Sequence, residues 1–198
     1  MKTVNAFKLS LVALSLAAVS QANAGVNDSI ATAIKDSTVN ATFRYRLESV
    51  DQDGVAEKAL ASTLKSRVTL TTGKVRNLSA KVEIDNISYL GSDKFNNGIN
   101  GRGDYAKVVD PNGTELNQAY IQYKNDGTSV IAGRQRIVHD DQRFVGGVAW
   151  RQNEQTYDGY RLQTAITDNF KLDASYVYNV NRIFGEKSAK SDLQDRKS

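Results

Sequence analysis

Two arginines spaced two residues apart, Arg134 and Arg136, sit in the stretch of the chain densest in chemistry-bearing side chains, GRQRIVHDDQRFVGGVAWRQNEQTYDG from Gly133 to Gly159. In an extended strand that spacing turns both guanidinium groups to one side and Ile131, Gly133 and Gln135 to the other. Such a face is not viable against lipid, and in a packed core every N–H donor would need an acceptor. A water-filled lumen satisfies it. There the planar forks match carboxylate geometry, so the chemistry on offer is recognition of carboxylate-bearing solutes rather than bond making.

The same kind of residue recurs along the chain. Arg44, Arg46, Lys65, Arg67, Lys81, Arg143, Arg151 and Arg161 are interleaved with Glu48, Glu83, Asp85, Asp140, Asp141, Glu154 and Asp158. Two readings stand side by side. Either the cations form an electropositive constriction, or they pair with the acids across the lumen and only stiffen its wall. The pore-lining candidates are Arg134 and Arg136, followed by Arg44, Arg46, Lys65, Arg67, Arg143, Arg151 and Arg161.

Other chemistries find little support. With one histidine and no cysteine, the chain offers no set of nucleophile, base and orienting group, so an enzyme is not expected. His139-Asp140-Asp141 lacks the spaced ligands of a metal site. Asp51-Gln52-Asp53-Gly54 begins like a calcium loop but places glycine too early and lacks the closing glutamate. Gly101-Arg102-Gly103-Asp104 is a product of a glycine- and asparagine-rich loop. No cofactor is implied.

The elements that must position the arginines alternate with period two. Val39, Ala41, Phe43, Tyr45 and Leu47 oppose Asn40, Thr42, Arg44, Arg46 and Glu48, giving one face suited to lipid and one that is hydrated and ionic. The pattern returns over 64–72, 78–85, 118–124, 130–136, 160–164 and 171–179. Asn125-Asp126-Gly127 reads as a hairpin turn, and 91–115, which holds the only proline, as a long surface loop. Phe144 to Trp150 reads equally as a loop folding inward or as a lipid-facing strand with an interfacial tryptophan. Short turns alternate with long loops, the plan of an antiparallel up-and-down transmembrane β-barrel. About seven strands are expected, with boundaries good to a few residues. An open set of that size leaves two unpaired edges, which bilayers do not tolerate, so the sequence reads as the N-terminal part of a longer barrel.

Residues 1–24 carry the three parts of a secretory signal: basic Lys2 and Lys8, an apolar run from Leu9 to Val19, and Ala22-Asn23-Ala24 for cleavage. Residues 25–37 form a periplasmic lead-in with one or two helical turns, and 38–198 the barrel segment. Removing residues 1–24 takes away two lysines and no acid, which lowers the formal charge from +4 to +2. The pI of 9.2 therefore makes no case for nucleic acid, since the charges are dispersed. Absence of cysteine fits an envelope protein in an oxidising compartment. A mean hydropathy of -0.47 suits a barrel with a polar lumen as well as a soluble protein.

Three separated segments, FRYRLESVDQDG (43–54), ASTLKSRVTL (61–70) and GRQRI (133–137) with the DDQRFVGGVAWRQNEQTYDG that follows (140–159), resemble in order the alginate-export family of bacterial outer-membrane β-barrel porins. Lys65 departs from the arginine expected there, keeping the charge but not the bidentate fork. The resemblance implies an outer-membrane channel for an alginate-like anionic polysaccharide or smaller anionic solutes. It implies outer-membrane lipid as surroundings and periplasmic export machinery as a further partner. The alternative is a secreted or surface β-protein that binds glycans without transport.

Overall fold

The computed structural model describes residues 24–192, with side chains from Ser29 onward. The signal segment assigned to 1–24 lies outside the described residues apart from Ala24. One helix, α1 (Ala24–Lys35), precedes seven strands: β1 (Thr38–Val50), β2 (Ala59–Thr71), β3 (Leu78–Lys94), β4 (Gly113–Asn125), β5 (Thr128–Gln135), β6 (Thr156–Ala165) and β7 (Lys171–Asn181). All neighbours are antiparallel and the spatial order is the sequence order, so β1 and β7 are the two edges of an open meander. Among the described residues no helix is long and apolar enough to cross a membrane.

Turn chemistry explains the short connections. Val75 and Leu78 exchange both backbone bonds (2.8 and 2.9 Å) around Arg76 and Asn77, whose φ values of 49° and 70° give the mirror-image turn that matches strand twist. Asp126-Gly127, at φ 39° and 80°, does the same between β4 and β5. The opposite end of the sheet carries the long segments 51–58, 95–112 and 136–155. Strands of 13 residues reach about 40 Å, well beyond a hydrocarbon band of about 25 Å.

The two faces differ as the alternation predicts. Val39, Phe43, Tyr45 and Leu47 are 57–72 % exposed on β1, and Val68, Leu78, Ile121 and Tyr160 continue that exposed apolar face across the sheet. On the other face Lys65, Glu83, Asp85 and Gln118 are buried. The one apolar cluster of buried residues among those described joins Ala59 and Ala61, at the start of β2, to Phe95, Ala106 and Val108 of the 95–112 segment. Tyr89 meets Phe95 edge-on at 5.1 Å there.

Strand lengths exceed the expectation. β3 runs on to Lys94 and β4 begins at Gly113, which shortens the expected 91–115 loop at both ends. Bulges hide this in the sequence, because they interrupt the regular pairing of the strands. In one, Leu90, Gly91 and Ser92 of β3 lie against Ser62 of β2; in the other, Asn117 is an extra residue between Leu116 and Gln118, the partners of Ile84 and Glu83. α1 has 12 residues, longer than the expected turn or two. It seats on the β2–β3 connection, where Gly73 donates its N–H to the Ala33 carbonyl at 2.9 Å.

Candidate functional site

The ionic face of β1 to β4 and the segment 136–155 that folds onto it form one connected set of charges. β-Pairing places Arg67 opposite Asp85, and the fork closes on it with bonds of 2.7 and 2.6 Å. Glu154, supplied by the β5–β6 segment from far along the chain, receives Lys65 at 3.2 Å, Arg67 at 2.8 Å and a close bond from Arg136. Glu83 accepts from Arg136, from Thr69 at 2.9 Å and from Asn117 at 2.8 Å. Three cations thus meet three carboxylates. Their side chains are 3–7 % exposed for Lys65, Glu83, Asp85 and Glu154, against 28 % for Arg136.

Glu154 shows how the balance is struck. It lies outside the strands; burial alone would raise its pKa, but Arg136, Lys65 and Arg67 outweigh that and bring it down to about 2. Cations beside a carboxylate favour its charged form, so Glu154 stays ionised at neutral pH and holds its three partners.

A second group pins the same segment to β1. Arg44 donates to Gln152 Oε1 and the Ala149 carbonyl, each at 2.9 Å, and to the Arg151 carbonyl. Arg46 reaches the Trp150 carbonyl at 2.6 Å and pairs with Glu48 at 2.6 Å. Arg151 pairs with Glu48 at 3.2 Å and lies 4.2 Å over the Trp150 ring. Gln152, fully buried, donates to Thr63 Oγ1 at 2.9 Å and takes the Asp110 carboxylate on its backbone N–H. Of the two readings of Phe144 to Trp150, the loop is what forms; Phe144 is 92 % exposed at its outer bend.

The remaining candidates divide. Arg134 closes on Asp158 with bonds of 2.8 and 3.1 Å, so Arg134 and Arg136 serve different carboxylates although they are two residues apart. The backbone is tight at two seams: between β4 and β5 a Cβ at Gly133, φ 122°, would overlap the Ala119 carbonyl, and between β6 and β7 a Cβ at Gly159 would overlap the Tyr176 carbonyl. Arg161 pairs with Asp173 across β6 and β7. Arg143 is 72 % exposed, paired only with its neighbour Asp141 among the described residues, and stands apart from both clusters. Arg44 differs from the other eight: its described bonds go to amide and carbonyl oxygens, with no carboxylate within ion-pair reach among the described residues.

Sequence reasoning missed the neutral members, Thr63, Thr69, Asn117 and Gln152, and the carboxylate of Asp110. Asn117 alone left a mark, since Leu116 and Ala119 are apolar with two polar residues between them, one residue out of alternation.

Known proteins agree with this architecture. The chain aligns with the Pseudomonas aeruginosa porin OccK9 (OpdG) over 77 % of its length at a TM-score of 0.55 and 15 % identity, a likeness of fold. It spans 40 % of that porin's chain. No curated protein matches it in sequence. Residues 36–196 match the family model described as alginate export, and the chain belongs to that family.

Proposed function

We propose that the chain forms part of an outer-membrane β-barrel that passes anionic solutes, with an acidic polysaccharide of the alginate type as the fitting substrate class, and that it is a conduit rather than an enzyme. The observation that carries this reading is the two-faced sheet: an exposed apolar face, and an opposite face whose arginines are lodged among polar groups with the 136–155 segment laid across it. Family membership and the porin likeness support the same reading. The large exposed apolar face argues against a soluble glycan-binding protein, which would have to leave that area in water.

Charge balance separates the cations into two kinds. Lys65, Arg67 and Arg136 are balanced by acids and act as wall struts, whereas Arg44 brings a charge that only neutral acceptors meet among the described residues. A solute carboxylate passing Arg44 would find a positive potential that low-dielectric walls focus. The test is block of single-channel current by uronic-acid oligomers. Measured on the whole barrel of which the chain forms part, block by the charged oligomer and not by its carboxyl-reduced form supports the proposal; equal block by both, or no channel at all, overturns it.

A further inference from the structure

At the end of the sheet that carries the short turns, α1 leans on the exposed apolar face and leaves a groove of about 370 Å³ between them. Ile30, Ala33 and Ile34 line it from the helix; Leu78, Ala80 and Ile121 line it from β3 and β4. Ala80 and Ile121 are register partners, so the groove floor is part of the face assigned to lipid. Gly73 makes the close approach feasible, because a Cβ there would come within 2.8 Å of the Ala33 carbonyl.

The rim has a different character. Lys35 closes the helix, and Lys74 and Arg76 stand exposed in the β2–β3 connection beside the lining residues Gly73 and Val75. Among the described residues none of these three has an ion pair, and Asp36 is the acid adjoining them in sequence. An apolar slot of this size with a basic lip matches the two halves of one molecule, an acyl chain and an anionic headgroup.

We propose that this groove binds the acyl chain of an anionic glycerophospholipid from the periplasmic leaflet, with the headgroup phosphate held by Lys35, Lys74 and Arg76. The site rests on the reading that the apolar face lies in a bilayer. It goes beyond that reading because a lipid held here would be retained, whereas lipid around the rest of the face exchanges freely. A lipid in this place also accounts for the position of α1, which lies along the interface as an amphipathic segment and closes the slot from the aqueous side.

The experiment reconstitutes the whole barrel of which the chain forms part in phosphatidylcholine vesicles with a minority of phosphatidylglycerol, extracts it in mild detergent, and counts retained phospholipid by native mass spectrometry. The wild type should keep phosphatidylglycerol in preference to phosphatidylcholine. Ala80→Trp fills the groove from the wall and should abolish retention of both lipids. Lys74→Glu with Arg76→Glu, two exposed turn positions, should leave retention but lower the preference by roughly tenfold or more. Equal retention by all three proteins, or none by the wild type, overturns the site while leaving the barrel reading intact. A protein that never inserts, judged by the absence of a compact heat-modifiable band, overturns the bilayer reading and the site with it.

Discussion

Replacing Glu154 with glutamine tests whether the charge network is a crosslink or an accident of proximity. The carboxylate is 6 % exposed and accepts from Lys65, Arg67 and Arg136, so the substitution leaves three cations facing two carboxylates, Glu83 and Asp85. Two routes to the magnitude agree. Breaking a buried ion pair on one side costs about 3–5 kcal/mol. Holding a carboxyl at about 2 that would ordinarily titrate at 4.5 is worth about 3 kcal/mol at neutral pH. The sign follows from the depressed pKa: the stabilisation is complete above 4.5 and is lost as pH falls through about 2. Thermal unfolding in detergent micelles, followed by the shift from compact to extended migration, measures both. The wild type should lose stability between pH 4.5 and pH 2, and Glu154→Gln should be weaker at neutral pH and flatter across that window. A variant as stable as the wild type with an unchanged pH profile would refute the crosslink.

Three further outcomes follow from other parts of the sheet. Ala41→Arg, on the exposed apolar face, should impair insertion by up to about 2–4 kcal/mol depending on depth, with Thr42→Arg on the ionic face much milder; a vesicle-folding yield reads the difference. Gly133→Ala or Gly159→Ala should each cost about 1–3 kcal/mol in a denaturant titration, because the added Cβ overlaps a neighbouring carbonyl and Gly133 also holds φ 122°. Arg44→Met should loosen Ala149 to Gln152, which Arg46 still holds through the Trp150 carbonyl, so amide exchange in that stretch should quicken while exchange within β2 and β3 stays slow.

What the sequence makes legible is the part governed by period two. Val39, Phe43, Tyr45 and Leu47 announce their face because a strand alternates without exception over that length, and Asp126-Gly127 announces its turn because few residues accept positive φ twice in a row. The bulges are harder, since the one extra residue Asn117 inverts every later assignment and only a break in the pattern betrays it. The site is half legible. Its charged types stand out, and Arg67 with Asp85 would follow from a known register. That Glu154 would reach Lys65 and Arg67, some ninety residues back, depends on the path of the 136–155 segment, and that path is set by carbonyls and by neutral Gln152, which no motif marks.

The central claim is that the ionic face lines a conduit in which positive charge outweighs negative. Reversal potential in planar bilayers under a salt gradient, taken on the whole barrel of which the chain forms part, measures it most directly, with Arg44 replaced by glutamine for comparison. The wild type should prefer anions, and the variant, which loses the one candidate cation met only by neutral acceptors among the described residues, should prefer them less, with the gap narrowing in high salt as the screening length falls below about 8 Å. Cation preference in the wild type, or the same reversal potential in both proteins, would contradict the claim and leave Arg44 as a strut for the 149–152 stretch.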